Sequence, residues 1–234
     1  MVRVLLLSAV VAGILAVALC SLAAADDVWY PWWDRAPNVT YFWDDWSHLT
    51  GGNVYAPDVV TGIGGPGTDA ITVNSPGAGL MEGPLPGFGS KTNFWELGPG
   101  GAMNVNVDSN PRGMDVWLQV TYYEGMVVAP TISLLGTGIH QIQISPGQWD
   151  ARVVAEDTGN VGPNEPTGWI TYASLWRIDP GASFTGIDIT ADASWGSIID
   201  QVAVGTKILP EPGAVMLALL GSSTLVALRR YRRK

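Results

Sequence analysis

Carboxylates are the commonest reactive groups in this chain, with twenty-one Asp and Glu against twelve Lys and Arg. Hydrolysis of a glycosidic bond needs two carboxyl groups facing each other, roughly 5 to 9.5 Å apart. Asp44-Asp45 and Glu156-Asp157 are adjacent pairs. Neighbours on a strand point to opposite faces, so neither pair alone makes an acid–base couple. Calcium is a more modest use of such oxygens. Asp108-Ser109-Asn110, or Asp188 with Asp192, could join backbone carbonyls around an ion. None of this has the spacing of an EF-hand loop, so a structural calcium stays open, no ligand set is assigned and no other cofactor is expected. His48 and His140 are the only histidines. Two imidazoles do not define a zinc site without a third ligand. There is no G-x-S-x-G for a serine nucleophile and no G-x-x-x-x-G-K-[ST] for a nucleotide phosphate. No catalytic residue is assigned, and a glycan-acting enzyme is the least favoured reading.

The segment WYPWWDRAPNVTYFWDDWSHLT, residues 29–50, holds five of the eleven tryptophans: Trp29, Trp32, Trp33, Trp43 and Trp46. Flat apolar rings can stack on sugar rings while nearby acids hold hydroxyls. Such a carbohydrate-binding surface, with an exopolysaccharide as partner, requires at least two of the five to be exposed on one face. The plainer alternative is that the segment packs across the body and covers its open end, since aromatics supply large buried area.

The elements that must position these residues read as β-strands. Asp115–Tyr123 (DVWLQVTYY) and Trp169–Ile178 (WITYASLWRI) are rich in aromatic and β-branched residues. Shorter runs cover Val127–Leu135, Ile139–Ile144, Arg152–Ala155, Phe184–Thr190 and Ile198–Val204. Gly136-Thr137-Gly138, Ser145-Pro146-Gly147, residues 159–166 and Asp179-Pro180-Gly181 punctuate them as turns. This pattern predicts an all-β body, a β-sandwich or jelly roll, with little helix. Residues 51–101 are dense in Gly and Pro. They read as an ordered loop layer over the sandwich, with short strands near Ala70–Val73 and Lys91–Leu97. One domain over residues 26–209 is expected.

The two ends read as addresses rather than fold. Arg3, an apolar stretch from Val4 to Leu19, and the small residues Ala23 and Ala25 before Asp26 fit a signal peptide over residues 1–25. The alternatives are an uncleaved anchor and a lipoprotein modified at Cys20, the only cysteine. Cleavage after Ala25 leaves an exported body without disulfides or thiolate metal sites. Residues 26–209 carry twenty acids and six bases, a net of −14, which repels phosphate and argues against nucleic acid as a partner. Residues 212–228 carry no charge, and as a helix would extend about 25 Å, the short end of a membrane span. Arg229, Arg230, Arg232, Arg233 and Lys234 follow as a cytoplasmic stop.

Pro210-Glu211-Pro212, the apolar helix expected over 213–228 and the basic end 229–234 together resemble the PEP-CTERM sorting signal of bacterial surface proteins. The resemblance covers about 25 of the 234 residues. It implies that the triplet is the processing site of an exosortase, a membrane-embedded transpeptidase. It also implies a precursor held in the membrane by its C-terminal helix. The product would be a cell-surface or extracellular-matrix protein, often of a biofilm. The motif PWWDRAPNVTYFWDDW is similar to the N-terminal segment of other such cargoes, which brings no activity with it.

Overall fold

A computed structural model of the chain describes residues 39–62, 69–76, 79–125, 127–157 and 168–210. Among them are fifteen strands and no helix. In chain order the first eight are β1 (Val39–Trp43), β2 (Leu49–Gly51), β3 (Val54–Tyr55), β4 (Val59–Gly62), β5 (Ala70–Asn74), β6 (Leu80–Met81), β7 (Phe94–Glu96) and β8 (Ala102–Asn106). The rest are β9 (Met114–Glu124), β10 (Thr131–Gly136), β11 (Ile139–Ile142), β12 (Asp150–Asp157), β13 (Gly168–Ile178), β14 (Phe184–Thr190) and β15 (Ile198–Ile208).

They form two antiparallel sheets. The larger has nine strands in the order β11-β13-β9-β15-β1-β4, with β12 also on β13, and β7 on β15 carrying β6. The smaller has six, ordered β10-β14-β8-β5-β3-β2. Its strands alternate, as the two-residue period requires when one face meets water. Ile71 and Val73, Met103 and Val105, and Ile187 and Ile189 point inward. Thr72, Asn74, Asn104, Asn106 and Thr190 stand exposed between them. The inner side chains join Val116, Leu118, Val120, Val202 and Val204 of the larger sheet in one apolar cluster.

The long central strands β9 and β15 are buried on both faces, so MDVWLQVTYYE shows no alternation of burial until Glu124. On the face of β9 away from the main cluster, Thr121 Oγ1 lies 3.0 Å from Thr171 Oγ1, and Gln119 Nε2 donates to Gln201 Oε1 at 3.4 Å. Farther along that face Tyr123, Trp169, Phe94 and Ile198 form a second apolar cluster under Leu85 and Phe88. The loop above it is fixed because Tyr123 Oη donates to Gly87 O at 2.9 Å and Trp169 Nε1 to Phe88 O at 2.8 Å.

The described part of the Trp-rich segment, residues 39–50, is β1, an interior strand between β15 and β4, followed by a turn and the start of β2. VTYFW is β-branched and aromatic, and its pairing with Val202–Thr206 of β15 satisfies the backbone on one side while β4 satisfies the other. Residues 51–101 are not only a layer of loops. The two short strands expected there are β5 and β7, while β2, β3, β4 and β6 add further ladder positions, and β3 and β5 lie within the smaller sheet.

Candidate functional site

A sugar-stacking site would sit at the tryptophans of residues 29–46. Trp43 and Trp46 are 0% and 2% exposed. Trp43 Nε1 donates to Tyr55 O at 3.0 Å and Trp46 Nε1 to Asp200 O at 2.9 Å. Trp46 packs edge-on against Tyr55 and Trp95. Neither ring offers a face to a sugar, so the stacking role expected of these two is corrected to a core role. Both are pulled inward by their size and by an indole N–H that finds a buried carbonyl. Trp29, Trp32 and Trp33 lie outside the described residues, as do Ala23, Ala25, Glu211, Pro212, the expected span 213–228 and Arg229, Arg230, Arg232, Arg233 and Lys234. Pro210 is exposed just beyond β15. Among the described residues no helix is long and apolar enough to cross a membrane.

Asp58, Asp45 and Glu156 serve local structure. Asp58 sits at the centre of one turn: its Oδ2 accepts the amides of Asp44, Asp45 and Trp46 at 2.8, 2.9 and 3.0 Å. Its Oδ1 accepts Ser47 N and Oγ, each at 3.2 Å. Asp45 Oδ1 accepts Asn93 Nδ2, and Glu156 accepts both the amide and the hydroxyl of Ser90 at 2.8 Å. His48 Nδ1 lies 3.2 Å from Pro57 O, and His140 Nε2 lies 2.9 Å from Asp179 Oδ2. Of the acids considered for calcium, Asp188 Oδ1 accepts Asn104 Nδ2 and Asp192 Oδ1 accepts the amides of Ser194 and Trp195, while the backbone amide of Asp108 donates to Asp69. Among the described residues no three His, Cys, Asp or Glu side chains gather as a metal-holding group.

A different cluster gathers polar and aromatic chemistry at one edge. In the register of β12, β13 and β9, Arg152 stands beside Tyr172, and Ile170 beside both Val154 and Tyr122. The two-residue period puts Tyr122 and Glu124 of β9 on one face with Tyr172, Ser174 and Trp176 of β13. Tyr172 and Trp176 are half-buried against the main core, while Asp150, Arg152 and Val154 of the edge strand are exposed. Arg152 Nη2 reaches Glu124 Oε2 at 2.6 Å and Oε1 at 2.8 Å. Trp176 Nε1 donates to Ser174 Oγ at 2.9 Å.

Burial pushes the phenol of Tyr122 above its ordinary value against the opposing pull of Arg152. Burial also raises Tyr172, countered by a hydrogen bond with Ser174 and reinforced by the charge of Asp150. The hydrogen bond that Arg152 donates to Glu124 holds its guanidinium more firmly charged. The edge thus presents the half-covered rings of Tyr172 and Trp176 and one internally satisfied ion pair, with Tyr122 and Ser174 buried behind them. That set can exchange hydrogen bonds with a hydroxyl-rich ligand. Reading the strands located β9, β12 and β13 but not this cluster. The signal was the parity of Tyr122, Glu124, Tyr172 and Trp176, which becomes informative only once the strand partners are known. Comparison with protein-family models, with curated protein sequences and with solved structures gives no match.

Proposed function

We propose that this chain is an exported bacterial cell-surface or extracellular-matrix protein that acts by binding. In this reading an N-terminal signal helix carries out a jelly-roll-like β-sandwich. The C-terminal helix holds the precursor in the membrane until an exosortase-type enzyme processes it at Pro210-Glu211-Pro212. The observation that carries the proposal is the order of features at residues 210–234: triplet, uncharged stretch, basic end. The test is the intact mass of the protein recovered from the native envelope and medium. The proposal expects a species beginning near Asp26 and ending near the triplet. A full-length C-terminus found only in membranes overturns it.

A second reading is that the body binds carbohydrate. With Trp43 and Trp46 in the core and Trp29, Trp32 and Trp33 outside the described residues, its support among the described residues is the edge formed by Tyr172, Trp176 and the Arg152–Glu124 pair. A glycan screen comparing the parent with Tyr172→Ala tests it. Binding that survives the substitution unchanged removes this edge as the site.

A further inference from the structure

Lys91 and Asp200 form the most secluded pair of opposite charges among the described residues. Their Nζ and Oδ2 lie 2.9 Å apart, with side chains 7% and 2% exposed. Several features hold this contact in place. Asp200 is the extra residue where the register of β15 slips between Ile199 and Gln201, so its side chain leaves the regular ladder. Here β15 exchanges neighbours, pairing with β7 through Ile199 and with β1 from Val202 onward. Trp46 Nε1 bonds the Asp200 carbonyl at 2.9 Å. On the other side, the backbone leading to Lys91 is fixed by Trp169 on Phe88 and by Glu156 on Ser90. Buried Phe94 and Trp95 follow in the chain.

An ammonium and a carboxylate held apart from water lose hydration that their mutual attraction only partly restores. Burial therefore narrows the gap to the neutral amine and carboxylic acid. That form would place an amine nucleophile 2.9 Å from one oxygen of an acyl group. Well-oriented reactants reach effective molarities on the order of 10⁵–10⁸ M.

We propose that Lys91 and Asp200 condense to an intramolecular amide. The Nζ lone pair attacks Cγ of Asp200, and the Nζ–Cγ bond forms. The bond from Cγ to one Oδ breaks, and that oxygen leaves as water with the acid proton and one proton from nitrogen. Nothing is oxidised or reduced, and the two side chains supply every atom. The bond ties the segment before β7 to the last strand. It would do for this chain what disulfides do for other exported proteins, in a sequence whose only cysteine is Cys20.

The test uses the full chain, denatured, with its termini established by peptide mapping. The expected result is an intact mass one water below that of the sequence between those termini. Digestion should then give a branched peptide joining the Lys91 and Asp200 segments, and Lys91→Arg should show neither. A mass equal to the sequence, or a lost water mapping elsewhere while Lys91 and Asp200 appear in linear peptides, overturns the proposal. Because the readout is made on the unsubstituted protein, a variant that fails to fold does not obscure it. The outcome is independent of whether the edge cluster binds glycan.

Discussion

Removing the Asp58 carboxylate should release the turn that seats Trp46. The side chain of Asp58 is 9% exposed and accepts the amides of four successive residues, Asp44 to Ser47. In Asp58→Ala the amides of Asp44, Asp45 and Ser47 lie at the surface and can turn to water. Each then loses only the surplus of a charge-assisted bond, about 0.5 kcal/mol. The amide of Trp46 is partly buried, and leaving it unsatisfied costs about 1–3 kcal/mol. The sum is about 3 kcal/mol. For a body of this size that corresponds to a fall in Tm of roughly 6–12 °C. Asp58→Asn should cost nearly as much, because its NH₂ would face amide donors on one side. Thermal and denaturant unfolding give the magnitude, and hydrogen exchange at residues 44–47 locates it. A variant within about 0.5 kcal/mol of the parent, the range of ordinary surface substitutions, with those amides still protected, would refute the reasoning.

Further outcomes follow from the same geometry. Trp46→Phe should destabilise by about 1–3 kcal/mol, measured by denaturant unfolding, because the Asp200 carbonyl loses its donor in a buried setting. Gly186→Ala should weaken the β14–β8 pairing. The glycine sits at φ +140°, and a Cβ there would stand 2.5 Å from the Val105 carbonyl oxygen, so faster exchange of the β8 amides is expected. Tyr41, Tyr122 and Tyr172 have phenols raised from 10.0, each chiefly by burial. Their folded-state values exceed the unfolded ones, so the stabilisation is complete below pH 10 and is lost as pH rises beyond it. Unfolding free energy should fall on the alkaline side, measured by denaturant unfolding across that range. Arg152→Ala removes a pair whose side chains are 51% and 36% exposed. Its effect on Tm should be slight, since such pairs contribute about 0–1 kcal/mol, so any loss of glycan binding reports on the edge itself.

What the sequence revealed depended on how much each strand's partners mattered. Phe184–Thr190 was legible to the residue, because Ile187 and Ile189 alternate with Asp188 and Thr190 shortly after the Asp179-Pro180-Gly181 turn. Strands β9 and β13 stood out through aromatic and β-branched content. By contrast AMNVN of β8 contains two asparagines, poor strand formers, and is a strand because β14 and β5 pair with it on either side. The tryptophans misled for a related reason. Trp43 and Trp46 have chemistry that suits both a sugar platform and a core, and only their place beside β15 decides. At the edge cluster, Glu124 and Arg152 are twenty-eight residues apart and meet through the pairing of β9, β13 and β12, which no short-range pattern encodes.

The position of β15 carries a mechanical consequence. Pro210 follows two residues after Ile208, so a pull applied there loads a central strand rather than an edge one. That strand is laced to β9 along its length, to β1 from Val202 to Thr206 and to β7 at Ile198 and Ile199. Drawing it out would strain ladders on two sides at once and disturb the apolar cluster that Val202 and Val204 share with the opposite sheet. A tether at this end would therefore hand its tension to a strand held by ladders on both sides.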